Sequence, residues 1–560
     1  MPIEVGWRPG QRVERAAVRE RTDPVPDRLR IWTILAVAVI LMISLARVPH
    51  LNFPLERDEG EFGYIAQQLL HGVPVYESGY TQKLPGSYYM YAIFLALFGQ
   101  SIFAIHFGLL LVNAAIMGLI FLTLRRTYGG LAGVMGALVF GFMAMSPTLL
   151  GFAAHATFFV ALFSMSGLYL FLLARDRGAS RLYLASGLSF GIAFLMKQPA
   201  AFFTPIMLGA WVLHAWAQPK PPTGLARHTT AFVAGSLLPV LLTLAYYAAI
   251  GRFALLWFWS VQFAKEFVGH VRLENGLMNF YDKTRLIISS FEAFWMMAFL
   301  GFLVMVREAV LGRERYPYLA FGLASLLSIV PGFYFSAHYY VSLLPFVALM
   351  VGSLMGAVRG RTGIVVVGTA IAIGLLIGFA RFERYFTRRV PDSVASRAVY
   401  PGNPFAESIE IGNYLRSHTA PGDSIAILGS ETQIYFYAQR PSASRFVNVY
   451  YLTANHPRNR EMQHEMIRDI ERVRPVYLVV VYNRFSWGML GTSPVDILDW
   501  CDRYRRNYRV EGIVQMQGTG SVSTWGPEAS AVRPTKRYIE ILRRIDDSPT
   551  ARTAGGVVAS

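Results

Sequence analysis

Charged side chains are scarce in this sequence. Asp, Glu, Lys and Arg make up 16% of its 560 residues, whereas hydrophobic residues make up 54%. This balance excludes an ordinary soluble protein and indicates a chain that lies mainly in a membrane. A single cysteine, Cys501, excludes an intramolecular disulfide, so a domain outside the membrane has to be stabilised by packing alone.

Several motifs are also missing. The region after residue 381 contains neither the dinucleotide-binding pattern G-x-G-x-x-G nor a P-loop. No internal repeat is evident, which removes the inverted-repeat signature of many secondary transporters. A net charge of +17 would suggest nucleic acid in a soluble protein. Here most Lys and Arg lie in short loops between apolar segments, where they orient helices, so we expect no nucleic-acid partner.

Eleven apolar segments are candidates to cross a bilayer, which takes roughly 20 residues. They are 30–48, 102–124, 131–145, 157–174, 182–196, 200–217, 229–250, 287–306, 316–330, 337–358 and 364–380. The apolar piece 87–97 is shorter and follows a Lys-Leu-Pro-Gly break. We therefore expect it to form an interfacial helix in the first outer loop.

Basic residues predict the orientation. With the N-terminus inside, every predicted inner loop is basic, as the positive-inside rule requires. These loops carry Arg125 and Arg126; Arg175, Arg177 and Arg181; Lys220 and Arg227; Arg307, Arg313 and Arg315; and Arg359 and Arg361. An odd number of spans then places the chain after Arg381 outside. We expect a multi-pass protein of the bacterial inner (plasma) membrane with a cytoplasmic N-terminus.

The chain is predicted to have four parts. Residues 1–29 would form a disordered cytoplasmic tail that leads into an uncleaved signal anchor. Residues 30–380 would form the transmembrane domain, with outer loops at 49–101 and 251–286. Residues 381–546 would form an outward-facing soluble α/β domain, and 547–560 a flexible tail. The α/β prediction comes from strand-like runs, DSIAILG and PVYLVVVY, that alternate with the amphipathic stretches NPFAESIEIGNYLRSH and REMQHEMIRDIERVR.

Polar residues that are hard to place in so apolar a chain fall on one predicted face of the membrane. They are Asp58, Glu59, Lys83, His155, Thr157, Lys197, Lys265, Glu266, Asp282, His338, Tyr339 and Tyr340. Each has a simpler explanation. The acids could cap a helix, the lysines could reach the interface, the tyrosines could form an aromatic belt, and His155 could be a satisfied polar residue. Their coincidence on one side favours a shared functional site.

These residue types suggest group transfer. A carboxylate can accept the proton of an attacking hydroxyl, while lysine, histidine and tyrosine can hold the phosphate of a leaving group. A donor with a lipid tail would enter sideways from the bilayer, which explains a site at the membrane surface.

The stretch LERDEGEFGYIAQQLLHGVPVYESGYTQKLPGSYYMYAIFLALFGQS, residues 55–101, resembles the first outer loop of GT-C glycosyltransferases. The resemblance is strongest to the branch of protein O-mannosyltransferases and aminoarabinose-lipid A transferases. Three later pieces are similar to further parts of these enzymes: GLSFGIAFLMKQPAAFFTP, FYFSAHYYVSLLPFVALM and GDSIAILGSETQIYFYAQRPSASRF. The resemblance implies a polytopic α-helical membrane protein followed by a soluble domain.

It also implies inverting transfer of a hexosyl or pentosyl group from a polyprenyl-phosphate sugar. Asp58 would be the catalytic carboxylate, with Glu59 beside it in support, and Lys83 would meet the donor phosphate. The other residues expected to bind the donor phosphate or substrate are Arg57, Tyr64, Gln82, His155, Lys197, Lys265, His338 and Tyr339. The expected partners are the lipid-linked sugar, the lipid bilayer and an acceptor that is a glycan, a lipid or a protein.

Two departures from the family pattern concern metal binding. Gln82 stands where the aminoarabinose enzyme has Glu, and His155 and Thr157 stand where many members have an acidic residue. The sequence therefore predicts no cofactor and no required metal, with a divalent metal left as an open alternative.

Two other functions stay open at this point. A transporter or flippase for a lipid-linked glycan would use the same charges to line a path, and it would need charged groups near the middle of the membrane. A structural assembly or polymer-export protein would use its soluble domain to bind a partner.

Overall fold

A computed structural model describes residues 26–219, 223–268, 271–386, 390–518, 520–534 and 537–545. Of the two predicted tails, only 26–29 fall within these ranges, and the first helix has already begun there. The helices are α1 (Pro26–Arg47), α2 (Arg57–Leu70), α3 (Gly86–Phe98), α4 (Ile102–Tyr128), α5 (Gly130–Met143), α6 (Ala156–Arg177), α7 (Ser180–Met196), α8 (Phe203–Trp216), α9 (Leu225–Ala249), α10 (Phe253–Trp257), α11 (Ala264–Val268), α12 (Leu273–Ser290), α13 (Glu292–Val310), α14 (Tyr316–Leu327), α15 (Leu344–Ala357), α16 (Arg361–Phe386), α17 (Asp392–Val399), α18 (Phe405–Ser417), α19 (Gln433–Ala438), α20 (Tyr450–Thr453), α21 (Asn459–Val473), α22 (Arg484–Trp487) and α23 (Asp496–Tyr504).

Each of the eleven predicted spans coincides with one of these helices, and the helices differ in length. Within the described residues, eight helical segments have the length and hydropathy of a span, and they correspond to α1, α4, α6, α8, α9, α13, α15 and α16. The other three, α5, α7 and α14, are apolar helices of 10–17 residues. At 1.5 Å per residue, the 14 residues of α5 reach only about 21 Å of a hydrocarbon core about 30 Å thick. The polytopic helical class is confirmed, and the exact number of spans stays a prediction.

The helix bundle is centred on α15. In its apolar window 83% of the residues are buried, against 17% for both α1 and α16. α15 packs on α5, α13 and α4, whereas α6, α7 and α9 form an adjoining layer. The exposed apolar side chains of α1 and α16 therefore form the periphery of the bundle, as expected for helices that face lipid.

The soluble domain contains one five-stranded sheet. Its strands are β1 (Ile425–Leu428), β2 (Tyr477–Tyr482), β3 (Tyr508–Gln517), β4 (Gly520–Trp525) and β5 (Tyr538–Arg544), in the order β1-β2-β5-β3-β4. β1 and β2 are parallel, with Ile425 opposite Tyr477, and the remaining pairs are antiparallel. β1, β2, α18 and α21 lie in the four stretches that the sequence pattern predicted, whereas the antiparallel half of the sheet was not anticipated.

Helix α2 joins the soluble domain to the helix bundle. The short helix α19, which follows β1, packs directly on it. A Cβ atom on Gly60 would lie 2.3 Å from the backbone nitrogen of Gln433, so only glycine allows this approach. Just before α2, the backbone N–H of Leu55 donates a hydrogen bond to the Tyr437 hydroxyl over 2.9 Å. The two parts of the chain therefore meet at α2.

Candidate functional site

Helix α2 begins with a capping box. The Glu56 carboxylate accepts a hydrogen bond from the Glu59 backbone N–H over 2.9 Å, and the Glu56 N–H donates to the Glu59 carboxylate over 3.2 Å. Glu59 is fully buried, and it also accepts from the Ala154 N–H over 2.6 Å and lies 3.0 Å from His106 Nε2. The capping explanation therefore holds for Glu59, which ties α2 to α4 and to the segment before α6.

Asp58 has a different environment. It is 34% exposed and pairs with Lys83, whose Nζ lies 3.0 Å from Asp58 Oδ1 and 2.9 Å from Glu61 Oε1. Burial alone would raise the pKa of the Asp58 carboxyl, but the charge of Lys83 holds it well below its usual range. Burial would likewise lower the pKa of Lys83, and the two carboxylates instead raise it well above its ordinary value. Asp58 is therefore a carboxylate, and Lys83 a cation, at neutral pH.

Glu61 is the second carboxylate that contacts Lys83. It is fully buried, and its Oε1 accepts hydrogen bonds from the Tyr88 hydroxyl over 2.6 Å and the Thr81 hydroxyl over 2.9 Å, in addition to Lys83. The lysine is thus held between a partly exposed carboxylate, Asp58, and a buried one, Glu61.

Basic and aromatic groups face Asp58 from other helix ends. His155, just before α6, stacks on His338 with their ring centroids 4.1 Å apart. Lys197, at the end of α7, places its Nζ 3.6 Å from the centre of the Tyr339 ring. Burial lowers the pKa of His155 to about 4 and that of Lys197 to about 7. At neutral pH His155 is therefore uncharged, and Lys197 is poised between its two protonation states.

These groups line one cavity of about 630 Å³. Its apolar walls come from Phe62 of α2, Met196 of α7, Phe202, and Phe267 of α11. The soluble domain contributes a wall of its own, formed by Asn448, Tyr450 and Tyr451, and the Tyr451 hydroxyl donates a hydrogen bond to the Gln82 side-chain carbonyl. Charged groups at one end and apolar walls beside them suit a phosphate that carries a hydrophobic tail.

The period of α2 explains how one helix serves both the cavity and the soluble domain. Asp58, Glu61 and Phe62 are spaced i, i+3, i+4 and share the face that Lys83 contacts. Gly60 and Gly63 lie on the opposite face, against Gln433 and Phe436 of α19. The docking of the soluble domain therefore supports the back of the helix that presents Asp58.

Eight of the eleven predicted site residues line this cavity: Arg57, Asp58, Gln82, Lys83, His155, Lys197, His338 and Tyr339. The other three lie elsewhere. Glu59 is the buried capping residue, and the Tyr64 hydroxyl accepts a hydrogen bond from the Ser442 N–H over 2.9 Å at the domain interface. Lys265 is exposed on α11, although its neighbour Ala264 reaches the cavity. Helical spacing turns Glu59 and Tyr64 away from the face of Asp58.

Two features of the site were not predicted from the sequence: Glu61, and the wall of the cavity that the soluble domain forms. Glu61 could have been found, because it lies three residues after Asp58, and residues three apart share one face of a helix. Tyr450 and Tyr451 follow no motif, and their place depends on how the soluble domain docks.

Three side chains could hold a divalent cation. Ligand atoms of Asp58, His155 and His338 all lie within 4.8 Å of one another, and imidazole with carboxylate suits zinc and similar metals. In the described part of the chain, His155 Nε2 is buried and has no hydrogen-bond partner. The Lys83 ammonium already neutralises Asp58, however, and competes with a cation for the same carboxylate. The predicted independence from metal stays a prediction.

Comparisons with known proteins match part of the sequence to one family and most of the chain to solved structures. The model of the dolichyl-phosphate-mannose-protein mannosyltransferase family matches residues 82–247. The crystal structure of ArnT from Cupriavidus metallidurans, bound to undecaprenyl phosphate, is 15% identical, covers 91% of this chain and 98% of its own, and superposes with a TM-score of 0.53. The chain has the GT-C fold. The resemblance to the GT-C superfamily found in the sequence is thereby confirmed.

Two further matches to GT-C structures are weaker. An oligosaccharyltransferase from Archaeoglobus fulgidus, tethered with an acceptor peptide, is 13% identical and covers 88% of this chain and 74% of its own, with a TM-score of 0.47. The archaeal AglB from the same organism, with an inhibitory peptide and a dolichol-phosphate, is 13% identical and covers 89% and 75%, with a TM-score of 0.45. No curated protein matches the chain. The GT-C fold and the family match support membrane glycosyl transfer from a lipid-linked donor.

Proposed function

We propose that this protein is an inverting glycosyltransferase that moves a sugar from a polyprenyl-phosphate donor to an acceptor hydroxyl at the outer face of a bacterial plasma membrane. The sugar is a hexosyl or pentosyl group, and the acceptor is a glycan, a lipid or a protein. The proposed enzyme has a transmembrane domain, residues 30–380, and an outward-facing soluble domain, residues 381–546. The reaction takes place in the cavity between the two.

One observation carries the proposal. Asp58 lies in a cavity whose other polar groups include Lys83, Lys197, an arginine, two histidines and several tyrosines, and whose walls beside them are apolar. A carboxylate in that position can receive a proton, whereas the lysines can stabilise the negative charge that forms on a departing phosphate. A purely structural ion cluster would need neither a proton acceptor nor cations that stabilise a departing phosphate.

The arrangement of the basic loops supports the proposed orientation. Arg126 pairs with Asp176, and Arg175 Nη1 lies 3.1 Å from Glu314 Oε2. The predicted inner loops after α4, α6 and α13 are therefore gathered at one end of the bundle. The cavity is built from other parts of the chain: the start of α2, the segments before α3, α6 and α15, and the segment after α7. Basic loops at one end and the reaction cavity at the other fit a cytoplasmic side and an outer side.

The roles of the residues follow from their contacts. The acceptor hydroxyl oxygen attacks the anomeric carbon and gives its proton to the Asp58 carboxylate. The bond between that carbon and the phosphate oxygen breaks, and its electron pair goes to the phosphate. Lys83 and Lys197 offset the new charge, and His338 and Tyr339 shape the same pocket. Attack opposite the departing phosphate inverts the anomeric carbon.

The test compares cells that carry the wild-type gene, Asp58→Asn or Asp282→Asn as the only copy. Asp282 is an exposed acid on α12, so it provides a matched control for the loss of one carboxylate. Mass spectrometry of lipid-linked sugars and surface glycans should show that only Asp58→Asn accumulates the donor and loses one sugar from a surface glycan. Normal glycans in cells with folded Asp58→Asn protein would remove Asp58 from the mechanism.

A transporter is distinguished by a second measurement. Detergent micelles have no compartments, so sugar transfer by purified protein in detergent cannot be an effect of transport. Flux of the lipid-linked glycan in vesicles, without any transfer in detergent, would replace this proposal with the transporter alternative.

A further inference from the structure

Lys83 is shared by two carboxylates with different surroundings. Asp58 borders the cavity, where a substrate can reach it. Glu61 is fully enclosed and lies behind the lysine, where the hydroxyls of Thr81 and Tyr88 fix its Oε1. The Lys83 ammonium has three N–H donors, and two of them are used by these carboxylates at 3.0 and 2.9 Å.

This arrangement conflicts with catalysis in its present form. A carboxylate that is paired with an ammonium 3.0 Å away accepts a proton poorly, because the cation stabilises its charged form. Asp58 can act as a base only after this contact loosens. In the proposed function the donor phosphate needs the same lysine. Like the Asp58 carboxylate, a phosphate carries negative charge and accepts charge-assisted hydrogen bonds from an ammonium. The anion that enters the cavity therefore competes with Asp58 for Lys83.

We propose that Glu61 is a positioning residue that keeps Lys83 in the cavity while the donor phosphate replaces Asp58 as the second partner of the lysine. The inference rests on the proposed function and deepens it. Arrival of the donor frees the Asp58 carboxylate, which then takes the proton of the acceptor hydroxyl. As the new bond to the anomeric carbon forms, the bond to the phosphate oxygen breaks, and its electron pair stays on the phosphate beside Lys83. Asp58 is thus released to act as a base only when a donor is present.

The competition gives a first measurable consequence. Undecaprenyl phosphate, used as a probe, should bind purified Asp58→Asn protein roughly tenfold more tightly than wild type, because Lys83 no longer has to leave a carboxylate. Loss of one negative charge could tighten anion binding without any exchange of partners. The double variant distinguishes exchange of partners at Lys83 from a simple effect of charge. In a Lys83→Met background, Asp58→Asn should tighten binding of the probe less than twofold. Equal tightening in both backgrounds would overturn the proposal.

Substitution of Glu61 gives the second consequence. The expected change in affinity for the probe is opposite to the change that loss of a negative charge alone would produce. Removing a negative charge near an anion site should tighten binding of the probe. If Glu61 positions Lys83, Glu61→Gln should instead weaken binding roughly tenfold and raise the KM for the donor more than it lowers kcat. Binding by Glu61→Gln that equals or exceeds wild type would refute the positioning role.

Folding is controlled with Tyr88→Phe, which removes one hydrogen bond to Glu61 but keeps its charge and both contacts of Lys83. This variant should lower the melting temperature while binding of the probe stays closer to wild type than in Glu61→Gln. An equal loss of binding in both variants would show that Glu61 matters only for packing. Failure of the two proposals is distinguishable. Active Asp58→Asn would remove the catalytic base, whereas inactive Asp58→Asn with wild-type affinity for the probe would remove only the exchange at Lys83.

Discussion

Replacing Gly60 by Ala tests whether the soluble domain holds the helix that presents Asp58. The added Cβ would lie 2.3 Å from the backbone nitrogen of Gln433, while ordinary contact begins at 3.4 Å, so α2 and α19 have to separate by about 1 Å. Overpacking of this kind costs about 1–3 kcal/mol, and the better helix propensity of Ala recovers about 0.5–1 kcal/mol. We expect a net loss of about 1–2 kcal/mol in the free energy of unfolding.

The effect on transfer should be much larger. Asp58 is two residues from Gly60, and its contact with Lys83 is only 3.0 Å long, so a shift of this size removes Asp58 from its working position. Misplacement by about 1 Å can reduce a rate about 100-fold. The assay is the initial rate of sugar transfer, measured beside a thermal melt of the same preparation.

Two matched substitutions provide the scale. Gly63→Ala meets a side chain, that of Phe436 at 2.8 Å, and no backbone atom among its nearest contacts, so its rate should lie between that of Gly60→Ala and wild type. Gly209→Ala in α8 meets nothing within 4 Å and should leave both rate and melt unchanged. A Gly60→Ala protein with the wild-type rate would refute the idea that the soluble domain positions α2.

Two further predictions concern protons and metals. Lys197 is a cation below its pKa of about 7 and loses its proton above it, so the KM for the donor should rise above pH 7 in wild type. Lys197→Arg, which keeps its charge, should abolish that rise; a KM that climbs equally in both proteins would assign the pH effect to another group. Transfer should survive EDTA because Lys83 already neutralises Asp58. Loss of activity on chelation, with recovery on adding a divalent cation, would contradict this and point to Asp58, His155 and His338 as ligands.

Much of the fold could be predicted because hydrophobic segments report directly on helices in a membrane. Each predicted span contains or overlaps a helix, and the stretches around β1 and β2 were recognised as buried strands. The exact ends of the helices could not be obtained in this way. Composition alone does not show that α5 ends at Met143 and gives way to a turn and a 3-10 helix, Pro147–Leu149, before His155.

The site was predicted best where charge stands out against an apolar background. Lys83, Lys197 and His338 come from separate parts of the chain, yet all reach the cavity. Side-chain direction was harder. Glu59 adjoins Asp58 in sequence, but successive side chains of a helix point about 100° apart. The Glu59 carboxylate therefore points away from the cavity and takes part in the capping box.

The wall contributed by the soluble domain was beyond the sequence for another reason. Tyr451 contacts Gln82 across 369 positions of the chain, and such a contact depends on the docking of α19 on α2. That docking relies on Gly60 and Gly63, two glycines in a segment whose composition also suits an isolated amphipathic helix. Close approach between helices therefore has to be seen in the structure.

The most direct test of the central claim is the rate of sugar transfer by purified protein in detergent, with the polyprenyl-phosphate sugar identified from the cells that lack activity. Wild type and Asp282→Asn should convert this donor to free polyprenyl phosphate and glycosylated acceptor, whereas folded Asp58→Asn should show no transfer. Transfer at the wild-type rate by folded Asp58→Asn, or none by wild type with its own donor and acceptor, would contradict the account.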